Sequence, residues 1–254
     1  MEDWELTPAR DLHLAGMDRY RSPQREGGLV ESTMRLLWWL LLRTTFRTWN
    51  RLKIVGQEHL PAQPSFVLIA NHASHLDAPL LTSLLPLKCR DCTFPIAARD
   101  VFFERLSLAA FSAMFVNAMP VVRGNSGRHG LMDVRERLLS EPSILILFPE
   151  GTRTLDGRFL PARSGIGLTV IKSQAPVVPV RLFGTFEAYG KDTLIPRPRK
   201  IMAKYGMPMD FAPQRAEAKT CSKARLKEIY QEVADEIMAQ VAKLEPCEDK
   251  VEFP

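Results

Sequence analysis

The sequence predicts an α/β fold, with a largely parallel central sheet flanked by helices and an amphipathic helical element before it. Three observations predict this. The stretches Ser65-Phe66-Val67-Leu68-Ile69-Ala70, Ser143-Ile144-Leu145-Ile146-Leu147-Phe148 and residues 177–183 are apolar almost throughout. They have strand length and read as strands buried on both faces, as a parallel sheet requires. Between them lie segments with helical spacing, so strands alternate with helices. The first two runs end abruptly in polar clusters, Asn71-His72 and Pro149-Glu150-Gly151, at the strand ends where open α/β sheets gather ligands.

In chain order, residues 1–28 are mostly polar, with Pro8, Pro23 and Gly27-Gly28, and read as a tail or arm. Residues 29–53 carry the dense run Leu36–Leu42, the rings of Trp38, Trp39 and Trp49, and arginines at 35, 43, 47 and 51. The run is far short of the roughly 20 apolar residues of a bilayer span. Two readings stand: a basic, Trp-bearing helix lying on a membrane surface, or a core helix whose arginines face water. Lys53–Gly56 reads as a short edge strand. After the strand at 65–70, a helix is expected over about 76–85, with Ser74 as N-cap and Pro86 ending it. Thr93–Ala98 is the next strand. Residues 106–122 read as a buried or membrane-dipping helix followed by a short strand, Met119–Arg123. Arg128–Ser140 is expected as an amphipathic helix and 149–164 as a loop. A helix over 165–174 and the strand 177–183 follow. Residues 184–199 read as a long loop with Lys191, Arg197 and Arg199, and Lys200–Tyr205 as a last strand. Leu226, Ile229, Tyr230, Val233, Ile237, Val241 and Leu244 recur at helical spacing, predicting a C-terminal helix packed on the body. The expected organisation is 1–52 as tail plus amphipathic membrane-surface helix, and 53–254 as the α/β domain.

The chain of 254 residues, 46% hydrophobic, fits one such domain with a small appendage. Its net charge of +5 points to anionic partners: nucleic acid, phosphorylated metabolites or an anionic membrane surface. Cys89-Arg-Asp-Cys92 has redox or zinc-knuckle spacing, but Cys221 and Cys247 do not repeat it, so a reduced loop is the reading. The start, MEDWELTPAR, has no apolar core and hence no signal peptide.

His72 stands at the end of a buried strand, and Asp77 follows in the first helical turn, whence its carboxylate can reach back to the ring. An imidazole titrates near neutral pH and can take a proton from a hydroxyl, while a carboxylate on its other nitrogen fixes the tautomer. The spacing has a plainer reading, a helix-capping pair Ser74-x-x-Asp77. His72, His75 and Asp77 are also metal-ligand types, but no further His or Cys cluster completes a set, and no metal is expected. The second cluster, Phe148-Pro149-Glu150-Gly151-Thr152-Arg153, opens on the same edge. Gly151 permits close backbone approach, and Arg153 offers a forked cation suited to phosphate; the alternative is a turn held by a local Glu150–Arg153 pair. Arg123 ends another strand and points to that edge.

Taken together, Asn71-His72-x-Ser74-x-x-Asp77, Arg123, Phe148–Arg153 and Val178-Pro179-Val180 resemble, in content and order, the glycerolipid acyltransferase family, whose members include 1-acylglycerol-3-phosphate (PlsC-like) acyltransferases. The resemblance covers roughly residues 50–210, with Val55–Pro61 like the family's lead-in. It implies that His72 is the general base for a glycerol hydroxyl attacking the thioester of acyl-CoA or an acyl carrier protein. It implies further that Asp77 orients His72, and that Arg123, Glu150, Gly151, Thr152 and Arg153 hold the acceptor's phosphate and polar head. The expected product is phosphatidic acid. The only co-substrate is the acyl thioester, with no metal or bound cofactor, and the expected place is the cytoplasmic face of a membrane, in contact with its lipids. Arg99, Val122 and Arg163 stand where members commonly have lysine, aspartate and lysine.

Other functions fit less well. A Gly-x-Ser-x-Gly elbow and a Gly-x-x-x-x-Gly-Lys-Ser/Thr loop are both missing from the sequence, which argues against an acyl-enzyme hydrolase and a nucleotide site. A nucleic-acid binder rests on basic charge alone and is not expected. The alternatives kept are acylation of another lyso-lipid, such as a lyso-ornithine lipid, and a non-catalytic membrane lipid-binding protein.

Overall fold

The computed structural model describes residues 9–122, 137–138 and 141–246. Its strands are β1 (Lys53–Val55), β2 (Phe66–Ala70), β3 (Thr93–Ala98), β4 (Met119–Val121), β5 (Ile144–Leu147), β6 (Val177–Phe183) and β7 (Met202–Tyr205). Its α-helices are α1 (Gly16–Arg21), α2 (Leu29–Thr48), α3 (Asp77–Leu84), α4 (Arg99–Phe102), α5 (Leu106–Met114), α6 (Ser164–Ser173), α7 (Thr185–Tyr189), α8 (Ala212–Glu217) and α9 (Lys223–Lys243). The strands form one seven-stranded sheet in the order β1-β7-β6-β2-β5-β3-β4. Five run parallel; β7 lies antiparallel to β6, and β1 follows β7. The expected α/β architecture with a mostly parallel sheet is therefore the one observed. β3 changes partner along its length, pairing with β5 over Thr93–Pro95 and with β4 over Ile96–Ala98.

Two apolar clusters sandwich the sheet. Alternation along β2 turns Val67 and Ile69 to one face, where Ile166, Val170, Ile229, Val233 and Ile237 of α6 and α9 cover them. Phe66, Leu68 and Ala70 face the other way, under Leu80, Leu81 and Leu84 of α3 and Phe46 of α2. A β-carbon on Gly167 of α6 would lie 1.8 Å from the carbonyl oxygen of Tyr230, so that glycine is what lets α6 and α9 meet backbone to backbone. α9 is capped by Ser222 Oγ, which accepts Arg225 N–H at 3.2 Å.

Several expectations need correction. Residues 184–199 are not all loop, since they hold α7, and α4 was not foreseen. Of tail and arm, residues 9–28 form the arm, held on the body: Arg25 is buried and donates to Asn117 Oδ1 and the Ala118 carbonyl, and burial pulls its guanidinium down to about 9. The basic stripe of α2 does not face outward as a unit. Arg35 is buried against Asp91 at 3.2 Å, and Arg43 donates to the Ser83 carbonyl while stacking on Trp39. The outward side instead exposes Val30, Leu37, Leu40 and Leu41. The expected helix over 128–140 lies outside the described residues apart from Arg137 and Leu138. Cys89, Cys92 and Cys221 are free thiols, and burial, then Cys89, pushes the Cys92 thiol up to about 11. Among the described residues no helix is long and apolar enough to cross a membrane.

Candidate active site

Register brings the two polar clusters together. Ile69 of β2 lies beside Leu147 of β5, so Asn71-His72 and Phe148–Arg153 leave the sheet side by side. After β2 the chain sends α3 to one face of the sheet; after β5 it sends α6 to the other. A crevice opens at the carboxyl edge where adjacent strands diverge in this way, the usual place for a ligand.

His72 is held from several sides. Its backbone N–H donates to Glu150 Oε1 at 2.9 Å, and its carbonyl accepts Thr154 N–H at 3.0 Å. Its ring stacks on Phe148, with centroids 4.1 Å apart and planes at 17°. Nδ1 lies 2.9 Å from Asp77 Oδ2. Asp77 is fully buried, and the same oxygen accepts the N–H groups of Ala73 and Ser74, both at 2.7 Å. The capping and catalytic readings thus describe one carboxylate: it gathers the loop's amides as a cap would, and it orients the imidazole. With Nδ1–H donated to Asp77, the basic lone pair is on Nε2. The His72 side chain is 21% exposed, so this nitrogen can be reached by a substrate.

Ser74 does not cap α3. The helix begins at Asp77, and Ser74 Oγ donates to the Tyr189 carbonyl at 2.7 Å while accepting Leu76 N–H. The hydroxyl therefore ties the His72 loop to α7 instead.

Glu150 points inward, at 2% exposure. Oε1 takes the His72 amide and Oε2 the Leu160 amide, the latter at 3.2 Å. Burial pushes its carboxyl up from the ordinary value, against the opposing pull of those two amides. Gly151 adopts φ +66°, and a β-carbon there would lie 2.8 Å from Arg163 Nε; the turn requires glycine. Arg163 donates to the Glu150 carbonyl at 3.1 Å and so braces the turn. Thr152 is exposed on it. Arg153 is half-buried, and its Nη1 is buried with no acceptor among the described residues. It stands near the His75 ring, which is held below the usual range by burial, then by Arg153, then by His72. Arg123 lies outside the described residues.

Sequence reasoning missed three contributors. The Asn71 side chain continues the sheet, accepting Leu182 N–H at 2.8 Å and donating to the Leu182 carbonyl. Phe148 supplies the stacking ring. Leu160 supplies an amide from further along the Glu150 loop, ten residues on. Adjacency to the two motifs was the only signal available for the first two. Beside Asn71 and Ala73 a cavity of about 360 Å³ opens, walled by Phe159, Arg181, Phe183 and Phe186.

A buried carboxylate behind a reachable imidazole defines a class. With a cation at hand, such a pair can take a proton from the hydroxyl of a bound substrate. A family model described as Acyltransferase matches residues 51–182, more than half of the sequence, and the chain belongs to that family. It is similar to 1-acyl-sn-glycerol-3-phosphate acyltransferases of Limnanthes douglasii (33% identity over 63% of this chain and 54% of that protein) and Cocos nucifera (31% over 73% and 56%). It is also similar to 1-acyl-sn-glycerol-3-phosphate acyltransferase alpha of Mus musculus, at 27% over 62% and 54%. The chain spans about half the length of these curated relatives. Among solved structures, the 1-acyl-sn-glycerophosphate (LPA) acyltransferase PlsC of Thermotoga maritima shares the fold, with TM-score 0.55, 22% identity, and coverage of 84% of this chain and 83% of that one.

Proposed function

We propose that the protein transfers a fatty acyl group from a thioester, acyl-CoA or acyl carrier protein, to the free hydroxyl of 1-acylglycerol 3-phosphate, giving phosphatidic acid. The 2.9 Å contact between His72 Nδ1 and Asp77 Oδ2 carries this reading, and the curated relatives' names supply the acceptor. Nε2 of His72 takes the hydroxyl proton as the oxygen attacks the thioester carbonyl. The tetrahedral intermediate collapses with cleavage of the C–S bond, and the imidazolium returns the proton to the thiolate. Asp77 stabilises the imidazolium in between. Direct transfer of this kind draws on no metal or prosthetic group.

Arg153 is the anchor we assign to the acceptor's phosphate, because its guanidinium has a buried nitrogen still lacking an acceptor and forks well onto phosphate. Arg123 and Thr152 remain assigned to the same head group from the resemblance. Glu150 and Gly151 shape the site rather than touch the ligand. The apolar outer side of α2 supports peripheral attachment to a membrane, at its cytoplasmic face, where the lipid acceptor resides.

The test is thiol release from an acyl-CoA panel with lysophosphatidic acid, comparing wild type with His72→Ala. Turnover in the wild type and its loss in a folded variant are expected. Equal turnover in both would remove His72 from the mechanism; turnover with another lyso-lipid but not with lysophosphatidic acid would reassign the acceptor.

A further inference from the structure

The segment between α7 and β7 presents its apolar side chains outward. Leu194 is 94% and Ile195 76% exposed, and neither belongs to any of the apolar clusters. Lys191, Arg197, Arg199 and Lys200 surround them, all exposed, against one acid, Asp192. Water is a poor environment for an aliphatic pair at a loop tip, and burial elsewhere in this chain does not claim it.

This loop is held rather than loose. Thr193 N–H donates to the Gly190 carbonyl and Arg197 N–H to the Ala188 carbonyl at 2.8 Å. Asn50 Nδ2 donates to the Arg199 carbonyl at 3.0 Å, and Pro196 and Pro198 narrow the remaining freedom. Its two roots are informative. One is Tyr189, whose carbonyl takes the Ser74 hydroxyl two residues from His72. The other meets Asn50, just past the end of α2 and beside the exposed Trp49. The loop therefore runs from the carbonyl that holds the His72 loop to the carboxyl end of α2.

We propose that the 190–200 loop is a membrane contact in its own right. Leu194 and Ile195 would seat in the interfacial layer of an anionic bilayer, with Lys191, Arg197, Arg199 and Lys200 on its phosphates. An aliphatic tip ringed by cations matches a surface that is apolar within and anionic at its face. An acidic protein partner would use the cations but gives no reason for the two projecting aliphatic chains. Docking here brings the His72 loop, tied to the root of 190–200 through Ser74, toward the layer that supplies the acceptor; the inference rests on the lipid-acceptor reading only for that consequence.

The test is flotation of the full chain with phosphatidylcholine vesicles, with and without an admixed anionic phospholipid, alongside turnover on vesicles and on detergent micelles. Leu194→Ser/Ile195→Ser is expected to lower vesicle partitioning about tenfold and vesicle turnover with it, leaving micelle turnover at the wild-type level. Arg197→Gln/Arg199→Gln is expected to weaken partitioning roughly fivefold per cation, on anionic vesicles alone and at low salt. Unchanged partitioning of the Leu194→Ser/Ile195→Ser variant overturns the proposal. So does a defect confined to turnover with an acyl carrier protein, which would give the loop a protein partner. Wild-type flotation without turnover on any lyso-lipid would sink the enzymatic reading while the flotation comparison still decides the loop.

Discussion

Replacing Asp77 by asparagine separates its two jobs. Oδ2 accepts three donors: the His72 ring at 2.9 Å and the amides of Ala73 and Ser74 at 2.7 Å. Oδ1 is buried and has no partner. An asparagine that keeps its carbonyl in the Oδ2 position preserves all three bonds and the tautomer, and places its amino group where Oδ1 was. What disappears is the charge facing the imidazolium. At a separation of about 4 Å and an effective dielectric of ~20, that attraction is about 4 kcal/mol. The ring is partly exposed, so about 2–4 kcal/mol is the working range, a loss in kcat of about 30- to 1,000-fold. Stability should fall by about 1–3 kcal/mol, because the new amino group is buried without an acceptor. Asp77→Ala, by contrast, leaves two buried amides without an acceptor at about 1–3 kcal/mol each, and should lower the melting temperature sharply. The assay is kcat by thiol release under saturating donor and acceptor, with thermal melts of both variants. A kcat for Asp77→Asn within a factor of about three of wild type, less than 1 kcal/mol of barrier, would refute the electrostatic role.

Glu150→Gln should act on kcat and stability rather than on acceptor KM. Its amino group must face either the His72 or the Leu160 amide, a donor against a donor, at a cost of about 1–3 kcal/mol. Because burial raises the Glu150 carboxyl in the folded state, its ionisation costs stability as pH climbs from the ordinary carboxylate value through the raised one. Wild type should therefore lose stability over that window and Glu150→Gln should not, as denaturant unfolding across pH would register; a rise in acceptor KM alone would return Glu150 to the ligand. Arg153→Ala should raise KM for lysophosphatidic acid about 10- to 100-fold, the worth of one charge-assisted bond, leaving the donor's KM unchanged. Steady-state kinetics with each substrate varied in turn decide it, and an unchanged acceptor KM would release Arg153 from the phosphate.

Much of the fold was legible because its cause is local. Strands buried on both faces must be apolar throughout, so β2, β5 and β6 announce themselves in Phe66–Ala70, Ile144–Leu147 and Val177–Phe183. The long C-terminal helix shows its 3.6-residue repeat for the same reason: one side of it meets the sheet. His72 and Asp77 were legible too, since five residues of chain joining a strand end to a first helical turn suffice to bring carboxylate and ring together.

Other features depend on residues that no local pattern joins. Which way a helix faces depends on what waits beneath it: Asp91 draws Arg35 of α2 inward, so the leucines that look like a core stripe lie outside. A glutamate in a loop reads as a ligand, and nothing local shows that the amide of His72, 78 residues away, takes one of its oxygens while the Leu160 amide takes the other. Ser74 is a natural helix cap, yet the Tyr189 carbonyl, more than a hundred residues away, takes its hydroxyl. The α/β layering and the pairing of His72 with Asp77 could be read from the chain alone, because neighbours along it enforce both. The tertiary structure decided which charged groups brace the site and which stay open to a ligand, because a buried polar group takes whatever partner the packing brings within reach.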